Sequence, residues 1–163
     1  FRMHGERSPW YEREQEFINN VRQLTSGQAN EVWSFGEENY QLLKKYLFIR
    51  ERLRPYIRRL MKAASEEGAP VMRPLFYDFP EDKKAWDIED VYMFGPDLLV
   101  APVFEKGATE REIYLPEGAL WQDAYTKKTY EGGQTVTVPA PLGIIPVMIR
   151  DGKQYEIYVE GEI

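Results

Sequence analysis

The sequence predicts an α/β segment followed by an all-β segment, and two observations carry that expectation. The first is a long stretch, Phe35–Glu67, whose apolar residues recur every three or four positions and which lies between two short apolar runs. The second is a change of texture near Val91, after which brief apolar runs alternate with turn residues to the end of the chain. A chain of 163 residues has room for one domain or two small ones.

Phe1–Gly5 reads as the end of a strand, and Ser8–Pro9–Trp10 as a turn able to open a helix. Through Tyr11–Leu24, the apolar markers Phe17, Ile18, Val21 and Leu24 keep helical spacing on a polar background, which predicts an exposed helix. Thr25–Asn30 is a loop broken at Gly27. In the main helical region, Tyr40, Leu43, Leu47, Arg50, Leu53, Ile57 and Leu60 share one face, the face expected to be buried. Pro55 interrupts this pattern by removing a donor and crowding the preceding turn, so a kink or two abutting helices is expected there. Gly68 is placed to cap the end. Val71–Tyr77 then reads as a short buried strand, which makes strand, helix and strand a β-α-β unit.

The expected later strands are Val91–Phe94, Leu98–Ala101, Glu112–Leu115, Leu120–Ala124, Thr135–Val138, Val147–Arg150 and Tyr155–Val159. Thr135–Val138 alternates polar and apolar residues, as a half-buried strand should. Gly132–Gly133 and Asp151–Gly152 read as hairpin turns. Together these predict an antiparallel β-sandwich. The boundary falls near residues 88–108, dividing the chain into 1–90 and 91–163.

Composition narrows the function classes. The 43% hydrophobic content allows a real core. The net charge of −6, with no dominant Lys/Arg block, argues against a nucleic-acid surface. The Arg-rich helix Tyr46–Lys62 interleaves acids and apolar residues, the pattern of a solvated, salt-bridged face. No apolar run approaches the roughly 20 residues that span a bilayer, so no membrane partner is expected. With no Cys and a single His, neither a disulfide nor a metal constellation is expected. The cysteine-free composition suits the cytoplasm, and no Asn-x-Ser/Thr sequon is present. No phosphate-cradling or dinucleotide motif occurs, so no cofactor is implied. The aromatic content of 14%, with 11 Tyr and 4 Trp, suits both sugar contacts and strand packing; the structural reading outweighs the functional one.

The densest signal is Pro70–Val103, where Pro70, Pro74, Pro80, Pro96 and Pro102 bound short apolar runs with acids between them. Within and after it stand MRPLFYDFP (72–80), YMFGPDLLVAPV (92–103), YLPEG (114–118), YEGGQTVTV (130–138) and IPVMIRDG (145–152). Before it stand FRMHG (1–5) and EVWSFGEE (31–38). In that order and at those separations, the chain resembles the C-terminal part of glycoside hydrolase family 31, the α-glucosidase and α-xylosidase family, over nearly its whole length. The resemblance implies that residues 1–90 are the C-terminal portion of a (β/α)8 TIM barrel. Phe1–Gly5 would close its seventh strand and Met72–Tyr77 would form its eighth. Residues 91–163 would be the β-sandwich that follows the barrel.

His4, the sole histidine, lies at a strand end, where barrel enzymes assemble their sites. A structural histidine bonded to backbone is the alternative. The resemblance to the family's F-R-x-H-G motif implies that His4 binds the sugar at the cleavage subsite without being the acid/base; Met3 stands where relatives often have Leu. Arg2 reads as a structural ion-pair partner and Trp10 as a helix-start staple. The carboxylates Asp78, Asp82, Asp87, Glu89, Asp90 and Asp97 invite a catalytic reading. A glycosidase needs two carboxyls, about 5–5.5 Å apart for retention or about 6.5–9.5 Å for inversion. Asp78, at an expected strand end, is the tempting one. Turn and loop roles account better for the rest, and the resemblance places the catalytic aspartates upstream of Phe1, so none is assigned here.

The implied function is that of a retaining α-glycosidase, hydrolysing terminal α-linked glucosyl or xylosyl residues of oligosaccharides by double displacement. The expected partners are an oligosaccharide substrate and the remainder of the same polypeptide. A barrel remnant without its neighbours would expose apolar surface and self-associate as a homo-oligomer. The competing reading is a non-catalytic β-sandwich that binds carbohydrate as an accessory module.

Overall fold

The structure is a computed structural model and describes residues 31–159. The expected strand at Phe1–Gly5, the helix at Tyr11–Leu24 and the loop Thr25–Asn30 lie outside the described residues. The chain divides into two compact units, residues 1–50 and 51–163. In the first unit a 3-10 turn, Val32–Phe35, precedes helix α1, Glu37–Arg52, whose last two residues fall in the second unit. Glu37 and Glu38 occupy its first turn, where negative charge meets the positive end of the helix dipole.

Helix α2, Arg54–Glu67, begins directly after Leu53, with Pro55 in its first turn. There the missing N–H of Pro55 costs nothing and its fixed φ favours the helix, so the proline separates two helices instead of kinking one. Gly68 ends α2 in the left-handed conformation, φ 71° and ψ 13°. The buried face differs in part from the expected one: Leu60 is buried as expected, but Arg50 is exposed, and Ile49 and Tyr56 are buried in addition.

The expected strand Val71–Tyr77 is corrected. Only β1, Met72–Arg73, forms a strand, and it pairs antiparallel with β2, Tyr92–Phe94. Pro74 offers no donor to continue the ladder and instead precedes a single helical turn, α3, Leu75–Asp78. An apolar run this short reads equally well as strand or buried helical turn. The turn sends Leu75 and Phe79 inward, and Met72, at 58% exposed, is not the buried barrel residue expected.

The remaining strands are β3 (Leu98–Val100), β4 (Glu110–Leu115), β5 (Leu120–Asp123), β6 (Thr129–Glu131), β7 (Gln134–Pro139) and β8 (Val147–Arg150). They form a six-stranded sheet in the order β1-β2-β3-β8-β5-β6 and a two-stranded sheet, β4-β7. Every strand pair among the described residues is antiparallel. The fold here is thus mostly antiparallel sheet with a few helices. Val136 and Val138 turn inward from β7 while Thr135 and Thr137 face out, as the alternation predicts. Met93, Leu99, Trp121 and Met148 from the larger sheet meet Ile113, Leu115, Val136 and Val138 from the smaller, with Leu75, Phe79 and Ala85 joining the same core.

Two expected hairpins are not hairpins. Gly132–Gly133 links β6, paired with β5, to β7, paired with β4, so it carries the chain from one sheet to the other. A Cβ on Gly132 would lie 2.0 Å from the Pro116 carbonyl oxygen, a closeness only glycine permits. Asp151–Gly152 does turn, with both residues at positive φ, but Tyr155–Val159 forms no strand. That segment is held by side chains: the Tyr158 hydroxyl donates to the Ile145 carbonyl at 2.7 Å and accepts from its N–H at 3.0 Å. The short strand β6 was not expected, because Thr129 and Glu131 are exposed and its run carries little apolar signal.

Helix α2 meets the larger sheet at Gly95, in the left-handed region with φ 61°. A Cβ there would sit 2.3 Å from the Tyr56 hydroxyl and 2.5 Å from a Leu60 methyl. Gly95→Ala is therefore expected to destabilise the fold by about 2–4 kcal/mol, from backbone strain and overpacking together. Urea unfolding checks this; a loss under about 0.5 kcal/mol, the range of an ordinary surface change, would contradict the close packing.

Candidate functional site

The one residue to which a sugar-binding role is assigned, His4, lies outside the described residues, as do Arg2 and Trp10. What the structure places are the carboxylates, and most of those described below are held by structural bonds. Asp82 caps the 3-10 turn Lys83–Trp86: its Oδ1 accepts from the Lys84 N–H at 3.0 Å. Its Oδ2 accepts from the Tyr114 hydroxyl at 2.7 Å and the Glu117 N–H at 2.9 Å. Burial alone would raise its pKa, but these hydrogen bonds outweigh burial and hold it below the usual carboxylate range. Asp87 closes the same turn, its N–H donating to the Lys84 carbonyl. Asp90 pairs with Arg111, whose guanidinium also reaches the Asp90 and Pro102 carbonyls. Glu89 lies exposed between them.

Asp97 anchors α2 to the sheet. Its carboxylate accepts from the Tyr155 hydroxyl and its N–H donates to the Tyr56 hydroxyl, which donates in turn to the Phe94 carbonyl at 2.8 Å. The two tyrosine rings lie 4.9 Å apart. Burial chiefly pushes Tyr56 up to about 12. Burial, then the hydrogen bond to Asp97, raises Tyr155 above its ordinary range. Both phenols stay protonated at any physiological pH, so they serve as fixed donors.

Asp78, the tempting catalytic candidate, ends α3 and pairs with Arg73 at 2.8 Å, with side-chain exposures of 11% and 9%. The Arg73 Nε also donates to the Pro70 carbonyl at 3.0 Å, and its guanidinium lies 5.0 Å from the Tyr77 ring centroid. Burial raises the Asp78 pKa above its usual value despite the attraction of Arg73, and its Oδ2 is buried without a hydrogen-bond partner. A single carboxyl held by an arginine does not make the two-carboxyl site of glycoside hydrolysis.

Sequence reasoning passed over Asp123, 1% exposed. Its Oδ1 accepts from the Tyr125 N–H and its Oδ2 from the Thr126 hydroxyl, a local turn that sets Lys127 at φ 62°. The Lys127 ammonium then donates to the Ala124 and Tyr158 carbonyls. The signal was present as Asp-x-x-Thr after an apolar strand, but burial of that turn is a tertiary fact. An open cleft beside it is lined by Gln122, Lys127, Gln154, Tyr155 and Glu156. No group of three or more His, Cys, Asp or Glu side chains able to hold a metal occurs among the described residues.

The described residues thus build an antiparallel two-sheet β unit in which Asp78, Asp82, Asp90, Asp97 and Asp123 are committed to turns, hydrogen bonds and ion pairs. The profile of the glycosyl hydrolase family 31 C-terminal domain matches residues 68–153, and the chain belongs to glycoside hydrolase family 31. The crystal structure of a GH31 α-xylosidase from a soil metagenome, complexed with xylose, is 50% identical; the match covers 93% of this chain and 21% of that one, with a TM-score of 0.78. Alpha-glucosidase 2 of Bacillus thermoamyloliquefaciens is 38% identical over 122 residues, 75% of this chain and 15% of that protein. Alpha-xylosidase of Saccharolobus solfataricus is also 38% identical over 122 residues, covering 75% of this chain and 17% of that protein. The chain therefore spans about a fifth or less of the length of these relatives.

The Arg73–Asp78 pair gives a pH-dependent expectation. Arg73→Leu strands a buried carboxylate and should cost about 3–5 kcal/mol at neutral pH. Asp78 has a raised pKa, so the folded state binds its proton more readily than the unfolded state. Stability attributable to the group therefore rises as pH falls through the folded pKa. Without Arg73 the raise is larger, and the deficit of the variant should shrink on acidification. Urea midpoints of both proteins at neutral and mildly acidic pH measure this; a deficit that stays constant or grows refutes it.

Proposed function

We propose that this chain is part of a retaining α-glycosidase that removes terminal α-linked xylosyl or glucosyl residues from oligosaccharides. Residues 1–90 are read as the last portion of its (β/α)8 barrel and residues 91–163 as the β-sandwich behind it. Strand β1 and helix α3 precede that division yet pack with the later strands, so the sandwich draws on residues from 72 onward. The observation that carries the proposal is the 50% identity, over 93% of the chain, to an α-xylosidase solved with xylose. It makes an α-xyloside the first substrate to try. Glucosides differ only by a hydroxymethyl group, a difference worth about 1–3 kcal/mol per group in a pocket.

In this reading one aspartate attacks the anomeric carbon and a second protonates the leaving oxygen, then activates water. Both lie outside this stretch. His4 contributes a substrate hydrogen bond, and the sandwich supports the barrel. The compartment inferred for the enzyme is a bacterial cytoplasm, with which a cysteine-free chain is compatible.

Hydrolysis of p-nitrophenyl α-D-xyloside and α-D-glucoside by the complete polypeptide tests this. Activity is expected on at least one, and His4→Ala should lower kcat/KM by about tenfold or more as a substrate contact is lost. Hydrolysis by the 163-residue chain alone, or by the complete polypeptide on neither substrate, would overturn the assignment.

A further inference from the structure

Strand β8 ends at Arg150, and the chain turns back through Asp151–Gly152. Both residues are exposed and at positive φ, 51° and 67°, and the Lys153 N–H closes the turn on the Arg150 carbonyl at 3.1 Å. A Cβ built on Gly152 would meet nothing within 4 Å, so no neighbouring atom crowds that residue.

Asp151 is tied twice to Leu120. Its N–H donates to the Leu120 carbonyl at 2.8 Å, and its Oδ1 accepts from the Leu120 N–H at 2.9 Å. This pairing carries the β5–β8 ladder one place beyond Trp121 and Arg150, with a carboxylate standing in for a main-chain acceptor. The second oxygen, Oδ2, accepts from Arg150 Nε at 3.1 Å. That ion pair is partly exposed and weak by itself, but it occupies the remaining oxygen.

An aspartate followed by glycine is open to rearrangement, because glycine has no side chain to shield its nitrogen. The Gly152 nitrogen attacks Cγ of the protonated Asp151 carboxyl group. A C–N bond forms, the Cγ–OH bond breaks, and the hydroxyl leaves with the amide proton as water. Water then opens the five-membered imide. Breaking the new C–N bond restores aspartate; breaking the original peptide bond routes the chain through Cβ and Cγ, as isoaspartate. One water is lost and one regained, so the step needs no other reactant. Attack requires the carboxyl group to swing towards the Gly152 nitrogen, and the bonds to Leu120 and Arg150 hold it across the ladder instead.

We propose that Asp151 is a latent isomerisation site, kept as aspartate by the bonds of its carboxylate to Leu120 and Arg150 and released to isoaspartate when this end of the β5–β8 ladder opens. The change locks the end open. Isoaspartate adds one carbon to the backbone and moves the free carboxylate to Cα, so the paired bonds to Leu120 cannot re-form in register.

Peptide mapping of the complete polypeptide, aged at neutral pH folded and in urea, tests this, with isoaspartate identified by electron-transfer fragmentation. Isoaspartate should accumulate at position 151 in urea and at least about tenfold more slowly in the folded protein, where only locally opened molecules react. Leu120→Pro deletes the backbone donor at the first residue of β5 and should raise the folded rate about threefold or more, with the urea rate unchanged. Arg150→Leu removes the other donor and should act in the same direction. Urea unfolding establishes that each variant folds; if Leu120→Pro does not, Arg150→Leu carries the comparison. Equal rates folded and unfolded, no isoaspartate even in urea, or a folded variant that reacts no faster than the unsubstituted protein would each overturn the proposal.

Discussion

Trp121 has no exposed surface, and its ring lies 5.7 Å from Phe79. Its indole N–H donates to the Pro116 carbonyl at 3.1 Å, so the largest side chain of the core is buried without leaving a donor unmet. Around it the six-stranded and two-stranded sheets close on a shared interior. The smaller sheet could not persist alone, since a two-stranded ribbon is marginal in water, so its register depends on the apolar residues it places against the larger one. The Gly132 crossover is part of the same constraint: it lets the backbone pass against Pro116, whose carbonyl Trp121 uses.

Polar groups are arranged to support this interior instead of to react. Asp82 ties the 3-10 turn to β4 through Tyr114, Asp97 meets helix α2 at the Tyr56 hydroxyl and holds Tyr155 with its carboxylate, and Asp123 shapes the turn that positions Lys127. In each, a carboxylate accepts from donors fixed by the backbone or by a phenol that stays protonated. Such networks rigidify a scaffold. Arg73 and Asp78 depart from the pattern, because their pairing is incomplete.

Much of this was legible in the sequence. Pro55 announced the division between α1 and α2, Gly68 the end of α2, and the alternation of Thr135–Val138 the inward face of β7. These are local rules: a fixed φ, a missing Cβ, a period of two. The family was legible as well, because several motifs stood in order at fixed separations, a pattern no single element could supply. The strand expected at Val71–Tyr77 failed where locality ends. A run of apolar residues after a proline carries no periodicity to separate strand from helical turn, and contact with Met93 and the core decided it.

The sequence by itself determined the two long helices on either side of Leu53, where most strands lie, and the family to which the chain belongs. Only the tertiary structure decided that Gly132–Gly133 crosses between sheets, that Tyr155–Val159 is held by side chains, and that the carboxylates serve packing. The physical reason is common to all three. Partners far apart in the chain, such as Tyr155 with Asp97 or Tyr158 with Ile145, set the outcome, and no local preference encodes which distant donor will arrive.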